Sequence, residues 1–187
     1  NKTMSPREPL FVNNVVQNCM PIIEHLAGSK GIECRIEVSD DMPVLFANRS
    51  SITQILINLL TNAIKFSGEG ATVTLQVTAT NSHNIFKIID TGRGIPEDKI
   101  STLTDPFVRT ESDPHLSQQG TGLGLTIVNS LTELHGGTLD IKSKVGKGTA
   151  VTVMLPNGFL IGVGEGLDAI EAAGIFDIQD ARALRFG

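Results

Sequence analysis

The chain has 187 residues, of which 40% are hydrophobic, and a formal net charge of −5 at pH 7. This length favours one domain with a short appendage, and the apolar content is too high for wholesale disorder. The negative charge, together with the absence of tryptophan and tyrosine, argues against nucleic-acid binding through phosphate contacts or base stacking.

No apolar run reaches the roughly 18 residues that a membrane-spanning helix needs, and the N-terminus lacks a signal-peptide pattern. We therefore expect no membrane contact from this chain and a cytoplasmic location, which includes the cytoplasmic part of a membrane-anchored protein. Cys19 and Cys34 form neither a CxxC pair nor a metal-ligand cluster, so they are predicted to be free thiols.

The first quarter of the chain predicts a linker, a helix and two strands. Residues 1–9 are rich in polar residues and proline and are predicted to be a linker. Apolar residues from 10 to about 29 predict a helix that Pro21 is expected to break or kink. Residues 34–39 and 44–47 predict two short strands joined by a turn.

The clearest helix is predicted from about Ile52 to Phe66, with Ser50 or Ser51 as its N-terminal cap. Its apolar residues recur at three- and four-residue spacing and form one broad face. These residues are Ile52, Ile55, Leu56, Leu59, Leu60, Ala63 and Ile64.

The rest of the chain predicts a sheet with one further helix. Alternating strands are predicted at residues 71–80 and 84–90 with a hairpin turn between them, and two more at residues 137–143 and 148–156. Residues 102–119 lack periodicity and predict a long loop, and a helix follows from Leu123 to Leu134. The pattern predicts an α+β fold, with an antiparallel or mixed sheet and helices on one face.

Three polar residues share a stripe of the Ile52–Phe66 helix. Asn58, Asn62 and Lys65 lie at i, i+4 and i+7, opposite the apolar face. One interpretation is a solvated surface. The other is that the amide oxygens bind Mg²⁺ while the lysine contacts a phosphate.

Two glycine-rich stretches add to this pattern. "DTGRGIP" places Asp90 at a strand end, where a carboxylate can accept a hydrogen bond from an amine such as that of adenine, although a tight turn explains the stretch equally well. "GTGLGL" precedes a helix, and backbone amides at a helix N-terminus favour phosphate. It is not a GxxxxGK[ST] loop, because no Lys-Ser or Lys-Thr follows.

Together these motifs resemble the ATP-binding catalytic domain of two-component sensor histidine kinases, within the GHKL superfamily. "NLLTNAIKF" matches the N box, "DTGRGIP" the first glycine box, "DPFVR" the F box and "GTGLGL" the second glycine box. The resemblance covers about residues 10–156, and four boxes in order make it specific.

The resemblance implies a two-layer α/β sandwich of the Bergerat type, with a mixed, mostly antiparallel sheet and helices on one face. The catalytic domain would occupy residues 10–156, and residues 157–187 would be a C-terminal extension of unknown role that could form an amphipathic helix. ATP would lie between the N-box helix and a lid over roughly residues 101–120.

Carried over by motif, the resemblance implies roles for individual residues. Asn62 would coordinate Mg²⁺ with Asn58 beside it, Lys65 would approach the phosphates, and Asp90 would bind the adenine amine. Arg109 would stabilise charge on the transferred phosphoryl group, or would simply be a solvated lid residue. The other expected nucleotide-binding residues are Gly92, Gly94, Ile95, Phe107, Gly120, Thr121, Gly122, Leu123, Gly124, Leu125 and Thr149.

Position 58 discriminates among reactions. Hydrolysing relatives carry a glutamate there as general base, whereas Asn58 cannot take up a proton at neutral pH. The resemblance therefore implies phosphotransfer to a histidine rather than hydrolysis. The alternatives are a degenerate nucleotide sensor or pseudokinase that signals through its lid, and, more weakly, an ATPase.

None of the four histidines fits the phosphoacceptor pattern, and each is predicted to be a surface or capping residue. The resemblance thus implies a phosphoacceptor-histidine dimerisation domain elsewhere in a homodimeric protein, with a response regulator downstream. The cytoplasmic location would then be that of a soluble kinase or of the inner part of a membrane-anchored sensor. The four histidines are His25, His83, His115 and His135.

Overall fold

The computed structural model describes residues 6–103 and 123–157. The described elements are β1 (Glu8–Leu10), α1 (Val12–Gly28), β2 (Glu33–Val38), β3 (Leu45–Ala47), α2 (Arg49–Phe66), β4 (Thr72–Ala79), β5 (His83–Asp90), α3 (Glu97–Ile100), α4 (Gly124–Leu134), β6 (Thr138–Lys144) and β7 (Gly148–Pro156).

The main sheet has five strands in the order β2-β4-β5-β7-β6. β2 is parallel to β4, and every other neighbouring pair in this sheet is antiparallel. The predicted α+β architecture with a mixed, mostly antiparallel sheet and one layer of helices is confirmed. The predicted hairpin between β4 and β5 is also present, although its turn is residues 80–82 because β5 begins at His83.

The core lies between this sheet and the helices. Alternate residues of the central strands face inward, and Phe86 of β5 stands between Val77 of β4 and Val153 of β7 in the register. All seven apolar residues predicted for the N-box helix are buried, so the periodicity identified the face correctly. The part of the chain that the structure describes contains no helix long and apolar enough to cross a bilayer.

The N-terminal region differs from the prediction in its pairing. The two short strands predicted at residues 34–39 and 44–47 exist as β2 and β3, but they belong to different sheets. β3 pairs with β1, which occupies Glu8–Leu10. The end of the predicted linker, residues 8 and 9, is therefore a strand rather than a connector. Local patterns could not show this, because the pairing residues are more than 30 positions apart.

The helix break predicted at Pro21 is absent, and the predicted cap of the N-box helix is wrong. α1 runs unbroken through Pro21, whose side of the helix is exposed, so water can satisfy the carbonyl that loses its helical partner. α2 begins at Arg49, and its cap is Asn48 rather than Ser50 or Ser51. The Asn48 side-chain oxygen accepts hydrogen bonds from the Ser51 N–H at 2.9 Å and the Ser51 hydroxyl at 3.0 Å.

His135 is buried rather than on the surface, although it does cap a helix. Its Nδ1 lies 2.7 Å from the Leu131 carbonyl oxygen in the last turn of α4, and its Nε2 accepts the Asn48 N–H at 3.2 Å. A neutral imidazole satisfies both bonds, donating from Nδ1 and accepting at Nε2. This side chain therefore ties the end of α4 to the start of α2.

Candidate functional site

A cleft with a cavity volume of about 80 Å³ lies between α2, the inner face of the sheet and the segment that follows β5. Its walls are mostly apolar, with a few polar groups among them, as in small-molecule sites. The lining residues are Leu59, Asn62, Ala63, Phe66, Ile88, Asp90, Arg93, Gly94, Ile95, Leu103, Leu125, Ile141, Thr149 and Val151.

Asp90 supplies the carboxylate of this cleft. It ends β5 opposite Thr149 of β7, and its Oδ1 accepts the N–H of Gly92 at 2.8 Å and the N–H of Thr149 at 3.3 Å. Within the described ranges, its Oδ2 accepts no hydrogen bond. Burial raises the pKa of Asp90, and the two N–H bonds oppose that rise. One carboxylate oxygen therefore remains for a donor on a ligand.

The two glycines after Asp90 are required by backbone packing. A Cβ on Gly92 would lie 2.5 Å from the Phe66 carbonyl oxygen, and one on Gly94 would collide with the Lys144 carbonyl. Gly94 also has φ +69°, which favours glycine. These contacts fix the turn against α2 and the β6–β7 hairpin. The predicted contact of both glycines with a base stays a prediction.

Of Asn58 and Asn62 on α2, only Asn62 lines the cleft. A Cβ on Gly124, the first residue of α4, would be 3.4 Å from Asn62 Nδ2. Asn58 does not line the cleft, and its Nδ2 is buried without a hydrogen-bond partner among the described residues. Because amide nitrogen and oxygen are assigned from their partners, either atom could face a ligand. Amide oxygens are suitable ligands for Mg²⁺, so this donor set fits the predicted ion.

Two cations approach one aromatic ring beside the cleft. Lys65 Nζ is 4.8 Å and Arg93 Cζ 4.9 Å from the centroid of the Phe66 ring. The ion pairs of residues 6–103 and 123–157 include neither Lys65 nor Arg93. Among the described residues, both cations therefore lie at this edge without an ion-pair partner, an arrangement that favours an anionic ligand.

Of the remaining predicted site residues that the structure describes, Ile95, Leu125 and Thr149 line the cleft, whereas Lys65, Gly92, Leu123 and Gly124 do not. Leu123 precedes α4 and accepts the Ile127 N–H through its carbonyl. The predictions for Phe107, Arg109, Gly120, Thr121 and Gly122, and for most of the lid, fall outside the described residues.

Sequence reasoning missed three polar or aromatic residues at or next to the site. Phe66 and Arg93 lie inside the quoted motifs and line the cleft, yet neither received a role. Ser143 of β6 stands opposite Thr149 in the register. The signal for Phe66 and Arg93 is their place within two of the motifs, among residues other than glycine. No signal in the sequence identifies Ser143, because its partner belongs to another strand.

A sequence model described as "Histidine kinase-, DNA gyrase B-, and HSP90-like ATPase" matches residues 47–158, more than half of the chain. A protein of Rhizobium meliloti named as an uncharacterized sensor-like histidine kinase is 37% identical over 150 residues, which cover 80% of this chain and 29% of the relative. The circadian input-output histidine kinase CikA of Synechococcus elongatus is 40% identical over 126 residues, 67% of this chain and 17% of the relative. The chain thus spans less than a third of the length of these relatives.

Solved structures of histidine kinases share the fold of this chain. Full-length ShkA in complex with AMPPNP superposes with a TM-score of 0.71 at 28% identity, covering 80% of this chain and 31% of ShkA. The mycobacterial sensor histidine kinase MprB gives a TM-score of 0.68 at 27% identity, with 80% and 97% covered. Together with the cleft, these matches show that the chain belongs to the family of histidine kinase-, DNA gyrase B- and HSP90-like ATPases, and that it resembles the ATP-binding catalytic domain of sensor histidine kinases.

Proposed function

We propose that this chain binds Mg²⁺-ATP in the cleft and transfers the γ-phosphoryl group to a histidine of a separate dimerisation domain. The observation that carries the proposal is that Asn62, Asp90 and Thr149, from three distant stretches of the sequence, line the same cleft. The names of the relatives support the histidine as acceptor, and AMPPNP in the ShkA structure supports an adenine nucleotide as ligand.

In this proposal, different residues bind different parts of Mg²⁺-ATP. The free oxygen of Asp90 accepts the exocyclic amine of adenine, while the apolar walls, such as Ile88 and Val151, hold the ring. Asn62 and Asn58 would hold Mg²⁺ through their amide oxygens, and that ion would neutralise phosphate charge. Lys65 adds a positive charge at the same edge.

The site is built for positioning rather than for proton abstraction. Position 58 carries an asparagine and not a carboxylate. Because the amide of Asn58 cannot act as a general base, it cannot activate water for hydrolysis. An imidazole on a partner domain needs no such base, because its nitrogen already carries a lone pair. Phosphoryl transfer by alignment and charge neutralisation is therefore the reaction this residue set favours.

The first prediction tests this function. The chain is mixed with the dimerisation fragment of its own full-length protein, Mg²⁺ and γ-labelled ATP. We expect acid-labile, base-stable label on that fragment. Asn62→Ala should lower the labelling rate by at least about tenfold, since it removes a metal ligand. The control is Ser82→Ala, an exposed serine in the β4–β5 turn, which should label at the wild-type rate.

Each other outcome contradicts a stated part of the proposal. Absence of label with ATP bound at full strength would favour a nucleotide-sensing module that signals without phosphotransfer. Rapid release of phosphate by the chain alone would favour an ATPase. Full labelling by Asn62→Ala would exclude Asn62 as the metal ligand.

In the complete protein we propose a homodimer joined through the phosphoacceptor domain, with a response regulator that takes the phosphoryl group from the histidine. This proposal rests on the sensor histidine kinases among the relatives, of which the chain spans less than a third. It places the catalytic domain in the cytoplasm, where ATP is available.

A further inference from the structure

A single hydroxyl connects three segments behind the adenine end of the cleft. Ser143 Oγ accepts the N–H of Ile95 at 2.8 Å. The same oxygen is 2.9 Å from the Gly148 carbonyl oxygen and 2.8 Å from Thr149 Oγ1. Ser143 is thereby bonded to the turn after β5 and to β7, but it does not line the cleft itself.

The proton of each hydroxyl can be assigned by counting donors and acceptors. A serine hydroxyl has one proton and two lone pairs. The Gly148 carbonyl can only accept, so it takes the Ser143 proton, and the Ile95 N–H can only donate, so it takes one lone pair. The remaining lone pair of Ser143 requires Thr149 to be the donor. The reverse arrangement would leave two acceptors facing each other across the contact with Gly148.

Thr149, which lines the cleft, therefore uses its only hydroxyl proton on Ser143 and keeps its hydroxyl lone pairs as acceptors. Beside it, Asp90 offers the free oxygen of its carboxylate, and the two residues are joined through the Thr149 N–H and Asp90 Oδ1 at 3.3 Å. This end of the cleft presents two hydrogen-bond acceptors. An amino group can donate to both, whereas a ring carbonyl would meet only acceptors.

We propose that Ser143 is a positioning residue that fixes Thr149 as an acceptor and so selects a purine with an amino group at C6 over one with a carbonyl there. The proposal rests on the proposed nucleotide-binding function and deepens it by naming a residue for base specificity.

The test compares ADP with IDP, which carries a carbonyl in place of the amine, by titration calorimetry on the full chain. Four proteins form a double-mutant cycle: wild type, Ser143→Ala, Thr149→Val and the double variant. We expect Ser143→Ala to weaken ADP binding about five- to tenfold and to leave IDP binding nearly unchanged, which lowers the ADP/IDP preference. In the Thr149→Val background, Ser143→Ala should change this preference no further.

Ser143→Thr keeps the hydroxyl and should restore the wild-type preference, while Ser82→Ala serves as a remote control with a hydrogen-bonded serine. Equal loss of ADP and IDP binding in Ser143→Ala, or a further fall in preference in the double variant, would overturn the proposal. If Ser143→Ala does not fold, an altered preference in a folded Ser143→Thr would overturn it equally. Failure of the wild type to bind either nucleotide would instead refute the proposed function, and this proposal with it.

Discussion

At the scale of single residues, Asp90 shows how binding and stability oppose each other. Its side chain is only 8% exposed, and burial raises its pKa because the ionised form loses water. The two backbone N–H bonds on Oδ1 compensate in part. A buried carboxylate with one unpaired oxygen destabilises the fold. A hydrogen-bond donor on a ligand would compensate this cost.

The second prediction follows from this cost. Asp90→Asn keeps an oxygen for the N–H groups of Gly92 and Thr149 but turns a donor toward the cleft. We expect ADP binding to weaken about 10- to 100-fold, the range for a lost hydrogen bond to a charged group. We also expect the nucleotide-free variant to unfold at a higher urea concentration than wild type at pH 7.

The raised pKa of Asp90 sets how the stability difference between wild type and Asp90→Asn changes with pH. The native state of wild type binds more protons than the unfolded state between the ordinary carboxyl pKa of 3.8 and the raised value. Wild type therefore loses stability relative to Asp90→Asn as pH rises through that window, and the two should converge below it. A variant less stable than wild type at pH 7 would show that the carboxylate stabilises the fold.

At the scale of elements, α2 contributes both to the buried core and to the proposed nucleotide site. One face buries its apolar residues, and the other presents Asn58, Asn62 and Lys65. Two hydrogen bonds anchor its N-terminus: the Asn48 side chain accepts the Ser51 N–H, and the Asn48 N–H donates to His135. Since the amides lie on this helix, its N-terminal anchoring also helps to set their position.

The third prediction concerns the cap. Asn48→Ala should lower the free energy of unfolding by about 1–2 kcal/mol, because the Ser51 N–H loses its acceptor. Ser50→Ala, at an exposed position of the first turn, should change it by less than about 0.5 kcal/mol. Urea unfolding of both variants measures the difference. Equal losses would contradict the assignment of Asn48 as the cap.

At the scale of the whole molecule, stability depends on the contact between the sheet and the helix layer. Phe86 is 1% exposed on the central strand β5 and is among the largest fully buried side chains of the described core. The next residue, Lys87, points to the opposite side of the sheet and is partly exposed. Substitutions at Phe86 and Lys87 therefore distinguish the contribution of core packing to stability from that of strand formation.

The fourth prediction uses this pair. Phe86→Ala should lower the free energy of unfolding by about 3–5 kcal/mol through lost burial and a residual cavity. Lys87→Ala should stay within about 0.5 kcal/mol of wild type. Chemical denaturation followed by far-ultraviolet circular dichroism gives both values. A similar cost for the two variants would mean that β5 is not packed on the helices at this point.

Elements with local signals were predictable from the amino-acid sequence alone. The 3.6-residue period identified the buried face of α2, the alternation identified β4 and β5 with their hairpin, and the motifs identified Asn62 and Asp90 as candidates. Each of these follows from residues within one helix or strand, or from a short motif, so no knowledge of distant contacts was needed.

Features that depend on residues far apart in the chain were visible only in the folded structure. It paired β2 with β4 and β3 with β1, because backbone hydrogen bonding between strands carries no local sequence signal. It brought Arg93 over Phe66 and Ser143 against Thr149. The direction of the Thr149 hydroxyl proton follows from where Gly148 and Ile95 lie, which is a property of the folded chain and of no single segment.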